Sequence, residues 1–170
     1  MLDIKIVGGC LLDGTGRPPA QADVGIAGEQ ITDIGDLARA EARAVIPATG
    51  RMVCPGFIDA HSHSDCYVIL EPTAPGKIFQ GITTEVVGNC GASAAPTTEW
   101  KHLPFDWAQQ NMPGTWRTVA EYRDVLSQAR PAVNVVLLAG HNTLRRSAVG
   151  YDNRPATPEE LKHMKGLLRQ

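Results

Sequence analysis

Three apolar runs, residues 52–58, 82–87 and 134–139, alternate with helix-forming stretches, and each breaks off in polar residues able to hold a metal. His61 and His63 follow the first run, Asn89 and Cys90 the second, His141 and Asn142 the third. Strands without polar alternation are buried on both faces, which calls for a parallel sheet covered by helices. In (β/α) barrels the chemistry sits at the carboxyl ends of the strands. The pattern predicts an α/β fold: the first strands of a (β/α)8 (TIM) barrel, delivering candidate ligands to one end.

The helices between these strands carry their own signals. Residues 118–130 place Val119, Tyr122, Leu126 and Ala129 on one face, and Pro131 stops the helix. Residues 77–81 read as a helix end capped by Gly81. A last helix starts at the cap Thr157, with Pro158 in its first turn and Glu160 three residues after the cap. Its expected apolar face is Leu161, Met164 and Leu168. Residues 92–116 read as irregular, interrupted by Pro96, Pro104 and Pro113.

His61 and His63 carry the sharpest chemical signal. Residues i and i+2 of an extended chain share a side, so both imidazoles converge on one point. Two neutral imidazoles begin a transition-metal site, as in a metal-dependent hydrolase. A bare His-x-His is more often a strand-edge pair. Here Pro55-Gly56 breaks the chain and Phe57-Ile58 carries apolar character up to the pair, which favours the metal reading. Asp59 and Asp65 stand where carboxylates orient imidazole N–H groups; turn polarity is the ordinary alternative for either.

Residues 1–51 read differently, as short strands and turns of a small β unit. Gly8-Gly9 is expected to turn a hairpin, with Cys10-Leu11-Leu12 as the returning strand. A second hairpin pairs residues 23–26 with 30–34. Asp13-Gly14-Thr15-Gly16 is not a phosphate loop: no Lys-Ser/Thr follows, and Pro18-Pro19 blocks a helix start.

Composition narrows the class. A 170-residue chain with 43% hydrophobic residues and a net charge of −2 is globular and has no basic run to bind nucleic acid. No apolar stretch is long enough to span a bilayer, so no membrane partner is expected. The amino terminus resembles neither a signal nor a transit peptide, so a cytoplasmic location is expected. Cys10, Cys54, Cys66 and Cys90 lack Cys-x-x-Cys spacing and read as reduced thiols.

Pro55-Gly56-Phe57-Ile58-Asp59-Ala60-His61-Ser62-His63 resembles the first-strand metal motif of the amidohydrolase superfamily. The stretch before residue 51 resembles part of the small β-sandwich domain that accompanies that barrel. Within the superfamily, residues 81–91, ending Gly88-Asn89-Cys90-Gly91, and Gly140-His141-Asn142-Thr143-Leu144-Arg145 resemble the N-acyl-D-amino-acid deacylases, or D-aminoacylases. That resemblance implies zinc as cofactor, with His61, His63 and Cys90 as ligands. It implies a small-molecule N-acyl-D-amino acid as substrate, its acyl group removed by metal-hydroxide attack on the amide. The general acid/base aspartate and two further histidines are expected beyond Gln170, so this chain is expected to be an inactive amino-terminal piece.

A lone cysteine is by default a buried small residue. At a strand end between Asn89 and Gly91, the ligand reading is preferred for Cys90. Asp65, Asn89 and His141 are candidates to support the ligands or touch substrate; a capped strand end serves equally for His141. Arg145 and Arg146 read as surface charge, and Trp100, Trp107 and Trp116 as packing of the long loop rather than an acyl pocket. Two other functions remain open. One is a cyclic-amide hydrolase of the hydantoinase or dihydroorotase kind, using a carboxylated lysine in place of Cys90. The other is a non-catalytic module that keeps the fold.

Overall fold

In the computed structural model, which describes residues 1–170, strand β1 (Leu2–Leu11) is the axis of a five-stranded sheet. Strand β2 (Ala20–Ala27) pairs antiparallel with it, and β3 (Gln30–Gly35) antiparallel with β2. On its other edge β1 takes two parallel partners in turn, β4 (Ala42–Pro47) and the short β5 (Met52–Val53). Gly8-Gly9 does not turn a hairpin. The register slips between Ile6 and Gly9, and β1 continues through the bulge. Both edges of the continuing strand are partnered, Gly9–Leu11 by Ala20–Ala22 of β2 on one and, on the other, by Ala48 N donating to Val7 O and Cys10 N to Arg51 O, so the chain has no cause to reverse.

The chain divides at Pro55/Gly56 into two compact units, which places the boundary four residues beyond the expected residue 51. The apolar run 52–58 is therefore not one buried strand. Met52 and Val53 belong to the first sheet, whereas β6 (Phe57–Asp59) begins a second one. Pro55 offers no backbone donor with which to continue the first ladder.

The second unit holds a three-stranded parallel sheet in the order β6-β7-β8, with β7 (Ile82–Val87) central and β8 (Asn134–Leu137) at the far edge. Helices α1 (Tyr67–Leu70) and α2 (Pro75–Ile78) connect β6 to β7. After β7 comes the long segment with α3 (Phe105–Ala108), then α4 (Val119–Ala129), which leads into β8. Two helices follow β8: α5 (His141–Val149) and α6 (Pro158–Leu168).

Thr118 caps α4 and Thr157 caps α6, each in a reciprocal box with the glutamate three residues on. Helix α5 has no side-chain cap, which is why its sequence reads only as a strand end. It forms because its apolar side packs: Leu144 and Val149 are buried with Met164 and Leu167 of α6. The buried face of α6 is thus Met164 and Leu167, while the expected Leu161 and Leu168 are exposed.

Register places Asp59, Glu85 and Val135 side by side across the sheet. Val135 and Leu137 pack with the helix layer, in a core of Cys66, Val68, Ile69, Leu103, Trp107, Trp116, Tyr122 and Val133. Alternation then sends Ile58 and Val136 to the opposite face, where they are 66% and 48% exposed. Residues 92–116, expected to be irregular, contain a 3-10 turn at Trp100–His102 and helix α3, and they are regular in packing. Trp100 meets Trp116 edge-on at 4.9 Å, and Trp116 meets Tyr122 at 5.3 Å. No helix is long and apolar enough to cross a membrane.

Candidate metal centre

Strand β6 ends at Asp59, and the chain bends through residues 60–64 across the end of β7. Ser62 N donates to Val86 O at 3.0 Å, extending the β6–β7 pairing into the bend. His61 and His63 emerge on either side of that anchored residue, with ring centroids 5.4 Å apart. Strand β7 ends at Val87, and after Gly88 a 3-10 turn, Asn89–Gly91, carries Cys90. The Cys90 sulfur comes within 3.3 Å of His61 Nε2. The ligand atoms of His61, His63 and Cys90 all lie within 4.8 Å of one another.

These donors fit zinc. Bonds of about 2.0–2.1 Å to nitrogen and about 2.3 Å to sulfur put the ligand atoms of a tetrahedral zinc roughly 3.3–3.7 Å apart. The three side chains are exposed, so an ion can reach them without the fold opening.

The cysteine turn is gripped by its neighbours. Gly88 has φ +83°, and a Cβ there would lie 2.1 Å from Leu138 O, just past the end of β8. Cys90 itself takes a left-handed φ of 53°. A Cβ on Gly140 would lie 2.4 Å from Gly91 O, so the end of the β8 segment presses directly on the turn. Asn142 Nδ2 donates to Cys90 O at 3.3 Å. Ser93 N donates to Thr143 Oγ1 at 2.9 Å, and that hydroxyl donates back to Ser93 O at 3.1 Å.

Asn89 sits beside the candidate ligands as a backbone clip: its Nδ2 donates to Val86 O at 2.8 Å and to Ser62 O at 3.3 Å. Asp65 is fully buried, and its Oδ1 accepts from Ala94 N at 3.1 Å while Oδ2 has no partner. Burial pushes its pKa up to about 6, against the amides of Ala94 and Gly88 and the charge of His63, which favour the ionised form. Asp59 does not orient an imidazole ring: its Oδ1 accepts from the His61 backbone N–H and its Oδ2 pairs with Lys77. His141 lies exposed at the first residue of α5, outside the ligand cluster. His102 is buried against Thr98, and His163 is exposed on α6.

Lys77 and Glu85 form the part of the site that sequence reasoning missed. Glu85 is 1% exposed on the helix-facing side of β7. Its Oε2 accepts from Ser64 Oγ at 2.6 Å and Ser62 Oγ at 3.3 Å, and lies 3.3 Å from Lys77 Nζ. Lys77 also donates to Asp59 and to Ser62 Oγ, so one ammonium joins two carboxylates and the histidine bend. Burial works against the Lys77 charge, but its bonds to Asp59 and Glu85 outweigh it and raise the pKa. The available signal was an acidic residue inside the β-branched run Thr83-Thr84-Glu85-Val86-Val87.

A family model described as "Amidohydrolase family" matches residues 44–170. This chain belongs to the amidohydrolase family. It is 38% identical over 169 residues to a D-aminoacylase of Alcaligenes xylosoxydans xylosoxydans, covering 99% of this chain and 35% of that protein. With an N-acyl-D-glutamate deacylase of the same organism it shares 40% identity over 168 residues, covering 99% of this chain and 34% of the relative.

Among solved structures, a D-aminoacylase studied for its binuclear metal centre superposes with a TM-score of 0.91 at 38% identity, over 99% of this chain and 36% of the other. The N-acyl-D-glutamate deacylase of Bordetella bronchiseptica, complexed with zinc and a phosphonate inhibitor, superposes with a TM-score of 0.89 at 39% identity, over 99% of this chain and 35% of that one. The mixed α/β fold is that of the amino-terminal part of D-aminoacylase. The chain spans about a third of the length of these relatives.

Proposed function

We propose that this chain provides the first metal-binding strands of a zinc-dependent hydrolase that removes the acyl group from N-acyl-D-amino acids. The carrying observation is the convergence of His61, His63 and Cys90 at the ends of two adjacent parallel strands. A thiolate and imidazoles are a zinc donor set, and three protein ligands leave room for further ones. Zinc bound there supplies Lewis acidity, lowering the pKa of water to about 7 and polarising a carbonyl. His61 and His63 offer neutral imidazoles, Cys90 a thiolate, and Ser62 the backbone anchor between them.

The sheet supports a barrel. Ile58 and Val136 are exposed on the face away from the helices, the face that further strands would cover in a closed (β/α)8 barrel. The general acid/base aspartate and the remaining histidine ligands are assigned to those strands. In this reading His61, His63 and Cys90 supply three of the metal's ligands, and turnover needs the groups on those strands as well.

The test is a chimaera in which this chain replaces the matching third of the D-aminoacylase relative. With zinc it should release free D-amino acid from N-acetyl-D-amino acids, and Cys90→Ala should remove that activity. Hydrolysis of hydantoins by the chimaera, with linear amides untouched, would replace this reading by the cyclic-amide one.

A further inference from the structure

We propose that Asp65 is the positioning residue that holds the Cys90 sulfur opposite the two imidazoles, by tying the backbone beyond the cysteine to the backbone beyond the histidines. This rests on the metal-centre reading above and assigns Asp65 no contact with metal or substrate.

The two ligand-bearing segments are joined by backbone at one point, Ser62 N to Val86 O, which lies before the cysteine turn. Past that point two side chains cross to bond the backbone of the other segment. Asn89 Nδ2, one residue before Cys90, donates to Ser62 O, between the two histidines. Asp65 Oδ1, two residues after His63, accepts from Ala94 N, four residues after Cys90. The pair brackets the cysteine on one strand end and His63 on the other.

Asp65 is rigid enough for this task. It is fully buried, and Tyr122 Oη donates to its carbonyl at 2.9 Å from helix α4. Ala94 is pinned from its far side, where Trp116 Nε1 donates to its carbonyl at 2.7 Å. Only the Asp65 carboxylate transmits that rigidity from one segment to the other at this end of the turn. The turn needs such a restraint, because Cys90 holds a left-handed conformation that an L-residue leaves when released.

The experiment is a cobalt(II) and zinc(II) titration of the chain, read by the thiolate-to-cobalt charge-transfer band and by zinc competition with a chromophoric chelator. Cys90→Ala should abolish the band. Asp65→Ala should diminish it and weaken zinc binding by about ten- to a hundredfold, the scale for groups that orient metal ligands. Asp65→Asn keeps an oxygen acceptor for the Ala94 amide and should stay close to the unaltered chain. Tyr122→Phe should lower the melting temperature and leave the band in place.

If Cys90→Ala keeps the band, the metal-centre reading itself fails. If that variant loses the band while a folded Asp65→Ala keeps both band and zinc affinity, the proposal for Asp65 alone is overturned. Where Asp65→Ala does not fold by circular dichroism, Asp65→Asn decides: a folded variant that has lost the band overturns the proposal. A Tyr122→Phe band reduced as far as that of Asp65→Ala would also overturn it, since general loosening would then explain both.

Discussion

His61 Nε2 and Cys90 Sγ stand 3.3 Å apart across a gap of 29 residues, although each belongs to a different strand end. The parallel pairing of β6 with β7 makes this possible, because it brings both carboxyl ends to one side of the sheet. A hydroxyl does not replace a thiolate as a zinc donor. We expect Cys90→Ser to lower zinc affinity by at least about a hundredfold, more than the loss of a supporting group commonly costs. Isothermal titration of the chain with zinc would measure it, and equal affinity would remove Cys90 from the ligand set.

The cysteine turn also depends on what lies against it. Gly140 has φ −73°, an ordinary backbone conformation, so Gly140→Ala adds no backbone strain. Its methyl group would nevertheless meet Gly91 O at 2.4 Å. Overpacking of this kind costs about 1–3 kcal/mol, and here relief means moving Cys90. The expected result is a weaker cobalt charge-transfer band together with a modest loss of stability. Gly88→Ala should be worse, because a left-handed φ adds about 1–2 kcal/mol to its collision with Leu138 O.

The candidate ligands stood out in the sequence because each sits at an abrupt change of pattern. His61 and His63 end an apolar run with a two-residue spacing, and Cys90 follows the β-branched run of β7. Capping signals gave the starts of α4 and α6 for the same reason: Thr118–Glu121 and Thr157–Glu160 are local hydrogen-bonded boxes. What stayed hidden depended on partners distant in sequence. Helix α5 has no cap and is held by Met164 and Leu167. The bulge at Gly8-Gly9 looks like a hairpin until β4 and β5 supply the other edge of β1. The packing role of Trp100, Trp107 and Trp116 was legible, but their partners were not, because the contacts of the long loop follow no period.

The Lys77–Glu85 pair makes a stability prediction. Lys77→Met would leave the Glu85 carboxylate, 1% exposed, with only the hydroxyls of Ser62 and Ser64. Stranding a buried charge costs about 3–5 kcal/mol, and the partial exposure of Lys77 places this case near the lower end. Urea unfolding should show the loss. The double variant Lys77→Met/Glu85→Gln should recover much of it, because a glutamine oxygen accepts from the same serines without a charge. An unchanged midpoint for Lys77→Met would show that the pair carries no net stability.

Acid should loosen α6 before the rest of the second unit. Arg154 grips Glu160 through two nitrogens, at 2.8 and 2.7 Å, and Thr157 N donates to Glu160 Oε2 at 2.7 Å. The Arg154 bonds, then the Thr157 amide, bring the Glu160 pKa down from 4.5 to about 2. A carboxyl whose folded pKa lies below its unfolded value binds fewer protons when folded. Its stabilising contribution is therefore complete above about 4.5 and is lost as the pH falls toward 2. Amide exchange within Pro158–Leu168 should accelerate across that window, ahead of exchange in β7. Glu160→Gln should exchange faster already at neutral pH and lose most of the acid dependence. A Gln variant with the same pH profile as the unaltered chain would show that another group controls this helix.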